Sequence, residues 1–460
     1  MQGKFEKDIR ILVEQVKRLI EKGDPVPLLQ FIEPIHSADL VEILQELDDQ
    51  YRDKLFSILP MEDAVEVLED IDTDSFDELL RLMSKEKKTL ILDEMDTDDI
   101  VDHLGELDED RQEEILSYMH TDEADDVREL MIYEEDTAGG IMTNEYLTIN
   151  KNLTVADSII YLREHAPDAE TIYYLYVVND KEMLRGVISL RDLIISEPEL
   201  VLKEIMNERV ISVNIHDDQE EVARVVSKYD LLAVPVIDND DIMQGIVTVD
   251  DIIDVIEEEA TEDILKFAGT SDIEDIEEDS LLLRIRNSIQ SRLPWLVITL
   301  FGGLLSATII SNYEVALSAN AKIAMFIPIL AGMGGNVGTQ SSTLTVRSIA
   351  MGHIQGKEAF RTIFHELTVG LTVGLFCGVL AGAASMLLKS IDLSLAIVVA
   401  LAMWANMLTA ATIGTVVPLI FKKIGVDPAV ASAPFITTTV DITGLTIYFT
   451  LVMTLMQKIM

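Results

Sequence analysis

The 460 residues exceed one ordinary domain, and 82 Asp/Glu against 35 Lys/Arg give a formal net charge of -47. Such acidity excludes general nucleic-acid binding, which needs a basic surface against phosphate. The single cysteine, Cys377, excludes an intrachain disulfide and a multi-cysteine zinc site.

The charge is confined to one part of the chain. From Asn287 onward there are nine Lys/Arg and six Asp/Glu, which leaves 26 basic and 76 acidic residues in the first 286, a net of -50 there. An acidic soluble part therefore precedes an apolar, slightly positive part. The first ten residues are charged and lack the apolar core of a signal peptide, so the N-terminal part is expected to stay in the cytoplasm.

Residues 9–22 place Ile9, Leu12, Val13, Val16, Leu19 and Ile20 on one helical stripe, ended by Gly23. From about 37 to 131 a weak repeat follows. Segments starting at Ser37, Met61, Thr73, Thr97 and Thr121 are spaced by multiples of 12 residues, each with an acidic or capping start before apolar helical positions. Short helices in pairs of about 24 residues predict a superhelical stack over 1–134.

Near 138 the pattern changes to alternating strands and helices, in two matching copies. One runs from Met142 through Val177 to GVISLRD (186–192), the other from Met206 through Val236 to GIVTVDD (245–251). In both, the glycine follows the central valine by nine residues and precedes the aspartate by six. This resembles a tandem pair of CBS domains, expected over 135–200 and 201–262. A Ser or Thr and an Asp at a strand-to-helix turn suit phosphate and ribose hydroxyls. The nucleotide candidates are Asp192, with Arg191 beside it, and Tyr174 as a base-stacking ring; the alternative is a pair that binds no nucleotide. Asp251 sits in an acidic run with Asp250 and Asp254, and suits a cation better.

Residues 254–280 are strongly acidic, with Glu257, Glu258, Glu259, Glu262 and Asp263 close together and more acids over 272–279. A connecting helix is expected over 263–291, leading into a membrane domain over 292–460. Spanning a bilayer takes about 20 mostly apolar residues. Five such stretches occur, at about 293–311, 323–344, 363–388, 393–421 and 430–456. Gly370, Gly374, Gly378 and Gly382 share one face of the third, which allows close helix packing. Arg284, Arg286 and Arg292, then Arg347, Lys357 and Arg361, then Lys422 and Lys423 mark one side; the alternate loops hold only Lys322, Lys389 and Lys458. The positive-inside rule then puts the N-terminal domains in the cytoplasm and the C-terminus outside.

Two polar segments interrupt the spans. The second holds PILAGMGGNVGTQ (328–340), whose glycines expose backbone carbonyls beside Asn336, Thr339 and Gln340. The fifth holds TTTVDITG (437–444). Asp441 reads as the only carboxylate well inside a span, with His365 and Glu366 expected at the interface. A charge at that depth costs at least about 2.5–3.5 kcal/mol, so its default reading is functional.

Those two segments, the five spans and the domain order resemble the MgtE magnesium channel family over essentially the whole chain. EDTAGGIMT (135–143) and ETIYYLYVV (170–178) also look like that family. The resemblance implies a homodimer in the cell membrane, with a pore lined by the second and fifth spans. Asp441, Thr437, Gly335 and Asn336 would meet a largely hydrated Mg2+. It also implies closure by cytoplasmic Mg2+. The sensor acids would be Glu66, Asp98 and Asp102 of the N-terminal domain, facing Asp218, Glu220, Asp230, Asp251 and Asp254. Glu259, Glu262 and Asp263 of the connecting helix would lie near Asp427. ATP is the candidate nucleotide. Two alternatives stay open: a proton- or sodium-coupled divalent-cation transporter, and a membrane-anchored Mg2+ sensor that transports nothing. No Ser/His/Asp or Walker-type arrangement points to an enzyme.

Overall fold

The structure, a computed structural model, describes residues 2–165, 169–270, 281–354, 356–388, 391–431 and 433–456. The acids over 272–279, Lys389 and Lys458 fall outside them. The chain divides into two compact units, Met1–Ile256 and Glu257–Met460.

The first unit opens with ten helices: α1 (Gln2–Glu21), α2 (Pro25–Ile32), α3 (Ser37–Gln45), α4 (Asp49–Ile58), α5 (Met61–Asp70), α6 (Thr73–Leu82), α7 (Lys85–Leu92), α8 (Thr97–Gly105), α9 (Glu109–Leu116) and α10 (Thr121–Leu130). From α2 to α10 every helix starts 12 residues after the last. The residue before the start is often a capping acceptor: Asp24, Asp72, Ser84 and Asp108 each accept a backbone N–H of the first turn. Acids follow in the first turn, as with Asp98 and Asp99 of α8, where the helix dipole favours negative charge. Each helix is too short to bury its apolar face alone, so neighbours share one core, including Leu44, Leu68, Phe76, Leu80, Leu92 and Leu104.

The tandem copies follow. β1 (Thr148–Asn150), α11 (Val155–His165), β2 (Tyr174–Val178), β3 (Leu184–Ser189), α12 (Leu190–Ile195) and α13 (Leu202–Ile205) form the first. β4 (Val213–Asn214), α14 (Gln219–Tyr229), β5 (Ala233–Ile237), β6 (Met243–Thr248) and α15 (Val249–Ala268) form the second. Each sheet has a parallel pair then an antiparallel pair, in the order β1-β2-β3 and β4-β5-β6. The nine-residue spacing is the register: Val177 pairs with Gly186 and Val236 with Gly245.

The glycines mark an exchange between the copies. A Cβ on Gly186 would lie 2.5 Å from Met206 Sδ, and one on Gly245 2.7 Å from Met142 Sδ. Thr143 bridges to Ile246 and Asn207 to Val187. The methionine that heads each sequence copy thus packs on the sheet of the other.

The second unit takes the last residues of α15 and then α16 (Leu281–Asn312), α17 (Glu314–Ala319), α18 (Ile327–Ala350), α19 (Lys357–Leu387), α20 (Leu393–Lys423) and α21 (Ala433–Met456). Among the described residues, five stretches are long and apolar enough to cross a membrane: Ile285–Asn312, Ala321–Ala350, Lys357–Leu387, Leu393–Lys423 and Ala433–Leu455. α20 is the most enclosed and packs against α18, α19 and α21. The glycine stripe of α19 lies along it. A Cβ on Gly374 would be 2.9 Å from Trp404 O, and one on Gly378 2.6 Å from Ala400 O.

Candidate functional site

Two sets of polar groups stand out, one in the apolar helices and one in the first unit. In the helices, Gly335 of α18 is buried and meets α21; its Cβ would stand 3.1 Å from Thr437 Cγ2. Gly338, one turn on, comes equally close to Ile436 and Val440. The glycines therefore let the two helices touch where the polar motifs lie. Thr437 Oγ1 donates to Ala433 O at 2.8 Å, which satisfies its proton and leaves lone pairs for a ligand. Thr439, Thr443, Thr446 and Thr450 donate to their own helix in the same way. Asp441 lies one turn after Thr437 and is half-buried, while Asn336 and Gln340 of α18 are exposed. Polar side chains on the outside of apolar helices belong to an aqueous path or a further interface.

Glu366 has a partner the sequence did not reveal: it lies nine residues into α19, is 6% exposed, and accepts from Ser341 Oγ of α18 at 2.7 Å. His365 Nδ1 is 3.2 Å from its other oxygen. Asp441 is therefore not the only carboxylate enclosed among the apolar helices.

In the first unit, carboxylates crowd together where α5, α8 and the start of α15 meet. Glu69, Asp96 and Asp99 have oxygens within 4.8 Å of one another, as have Glu170, Asp250 and Asp251. Burial, with like charges added, pushes Asp99 up to about 9 and Glu170 to about 8. Burial raises Glu69 to about 7 although it accepts the Asp96 N–H. Asp98 is held well above the ordinary range by burial and by the charges of Asp251 and Glu170. A set of this kind can keep protons or take a cation bound through oxygens.

The sequence-predicted sensor residues divide accordingly. Asp98, Asp251 and Asp254 lie on this acidic face, and Asp102 and Glu66 add their charges to its members Asp99 and Glu69. Asp218, Glu220 and Asp230 serve α14 instead: Asp218 caps its start, Glu220 pairs with Arg224 at 3.2 Å, and Asp230 ends it in a left-handed conformation. Glu69, Asp96, Asp99 and Glu170 were not singled out, and Asp250 only as a neighbour of Asp251. The run Asp96-x-Asp98-Asp99 at a helix start was a usable signal, since one turn of helix gathers such acids.

In the second unit, Lys266 near the end of α15 pairs with Glu262 and, at 3.1 Å, with Asp427, the acid before α21. The expected nearness of the acidic helix to Asp427 is thus made by a lysine. Glu259 and Asp263 flank Glu262 on α15.

The two strand-to-helix turns build the same device. Ser189 Oγ accepts the Asp192 N–H and donates to Asp192 Oδ2 at 2.7 Å; Thr248 donates to Asp251 in the second copy. Asp192 and Arg191 are exposed, and Tyr174 is half-buried beside Tyr176 and Leu184. Asp251 is enclosed by acids. The first turn is therefore open to a ligand, and the second is electrostatically closed to an anion.

Comparison with known proteins agrees with this layout. Residues 35–136 match the family described as the MgtE intracellular N domain, 138–198 and 202–258 match CBS domains, and 327–451 match a divalent cation transporter family. The chain is 44% identical over 330 residues to a protein of Enterococcus faecalis named magnesium transporter MgtE, covering 71% of each chain. Proteins of the same name from Bacillus subtilis and Thermus thermophilus are 42% and 38% identical, over 71% and 73% of each chain. Among solved structures, the cytosolic domain of the Mg2+ channel MgtE in complex with ATP is similar at 38% identity and a TM-score of 0.51. It matches 53% of this chain and 99% of its own.

Proposed function

Since the chain belongs to the MgtE family of magnesium transporters, a multi-pass membrane family, we propose that it is a Mg2+-selective channel closed by the ion it carries. The observation that carries this reading is the crowd of buried carboxylates around Asp98 and Asp251. Without protons or cations these groups repel, so a divalent ion favours the compact form and shifts the population toward it. The path itself runs along α18 and α21, in a homodimer whose two copies of Asp441 face each other across the two-fold axis. Mg2+ keeps several waters, so Asp441, Thr437, Gly335 and Asn336 hold it largely through its hydration shell. The N-terminal domains lie in the cytoplasm and the C-terminus outside. ATP at Tyr174, Arg191 and Asp192 fits the open first turn. Permeation follows the electrochemical gradient and needs no catalytic step.

The test is Mg2+ flux into liposomes holding the full chain, with Mg2+ varied on the side of the N-terminal domains. Flux should fall as that concentration rises through the millimolar range. Asp441→Asn should lower flux at least about tenfold, the loss of about 1.4 kcal/mol of ion stabilisation. Unchanged flux in both measurements sinks the channel reading. The buried Glu366–Ser341 pair supports a second reading, a coupled transporter, in which Glu366 carries the proton. Mg2+ uptake that stops when the proton gradient alone is collapsed favours it.

A further inference from the structure

Asn406 lies near the middle of α20 and is 1% exposed. Its Nδ2 donates to Leu330 O of α18 at 2.7 Å. Its Oδ1 has no hydrogen-bond donor among the described residues. Two glycines are fitted around this amide. A Cβ on Gly334 would stand 2.4 Å from Nδ2, and one on Gly444 2.4 Å from Oδ1. Gly334 is next to Gly335, which meets Thr437, and Gly444 follows Asp441 by three residues on α21. One side chain thus touches both helices of the polar segments, each beside its candidate ligands.

A half-satisfied amide inside apolar helices is costly, and a leucine, with the same branching but bulkier ends, would carry no such penalty. Packing alone does not account for asparagine here. What leucine lacks is a directional bond to one carbonyl of α18 and a small oxygen that admits the backbone of α21. The first fixes the height of α18; the second sets how near α21 approaches, because a Cβ at position 444 would meet that oxygen.

Building on the proposed path along α18 and α21, we infer that Asn406 is a positioning residue that holds the axial register of these helices. It thereby aligns the oxygens around Gly335 and Asn336 with Asp441. A slip of one residue is about 1.5 Å along a helix, large against the tight octahedral shell of Mg2+. The register therefore bears on selectivity.

The test uses the full chain with Cys377→Ser. Cysteines at Gly335 and Thr437 report the register, because a Cβ on Gly335 is 3.5 Å from Thr437 Cβ and disulfides need about 3.5–4.5 Å. Oxidation should be fast with Asn406 present and at least about fivefold slower with Asn406→Leu. Without the added cysteines, Asn406→Leu should lower the Mg2+/Ca2+ flux ratio about tenfold, in protein that stays monodisperse with an unchanged thermal midpoint. If Asn406→Leu does not fold, Gly444→Ala takes its place; it presses on Oδ1 with the amide intact, and the same two losses are expected. The inference is overturned if the cross-linking rate is unchanged, or if the rate falls while the flux ratio stays constant. A parent chain that passes no Mg2+ refutes the transport reading instead, and the cross-linking arm still reports the register.

Discussion

At the scale of single residues, the acids of the first unit carry the sharpest consequence. Glu69, Glu170 and Asp99 hold their protons up to about pH 7, 8 and 9, against about 4 for free carboxyls. The folded state therefore binds more protons than the unfolded one between these limits. Its stability is greatest at the acid end and falls as pH rises from about 4 through about 9. A cation that replaces those protons should restore it. The expected outcome is a Mg2+-induced rise in thermal midpoint that grows from pH 6 to pH 9, measured at fixed ionic strength. A rise that is constant with pH contradicts cation binding at these carboxylates. The composition made an acidic soluble part legible, but not which acids cluster in it. Asp98 was named only through the family resemblance, whereas Glu170 arrives from a strand-flanking loop far along the chain, and only the fold brings it to Asp251. The pairing of Glu366 was not legible for a related reason: its partner Ser341 lies on a different helix.

At the scale of elements, the twelve-residue spacing shows where sequence patterns speak and where they fall silent. The helices starting at Ser37, Met61, Thr73, Thr97 and Thr121 carry apolar stripes strong enough to be read directly. Those starting at Asp49, Lys85 and Glu109 escape notice, because they bury no apolar residue before their seventh position, whereas the others bury one at the fourth. The spans were read to within a turn or so at most ends, since apolar runs of that length have few alternatives. The glycine stripe of α19 makes the most direct prediction here. Gly378→Leu must push side-chain atoms against the Ala400 carbonyl of α20. Overpacking of this kind costs about 1–3 kcal/mol, so the thermal midpoint in detergent should drop. The same change at Gly303, with nothing within 4 Å of its Cβ position, should leave it in place.

At the scale of the whole molecule, 76 of the 82 acidic residues sit before a membrane half that is nearly free of them. The proposed role of that charge is collective. Mg2+ should draw the first unit together and protect it, so limited proteolysis of the full chain should slow in millimolar Mg2+. Asp98→Asn with Asp251→Asn should remove most of the effect, and protection that survives both changes argues for a different ion site. The reading order along the chain was sufficient for the domain sequence; what it hid was the crossing of the two copies. Met142 and Met206 each rest on the glycine of the opposite sheet, so neither copy is complete as an object. The pair is better regarded as one hinge plate with two faces than as two beads on a string. It can be gained, lost or recombined only as a whole, and anything that grips one face stiffens the plate that the other face shares.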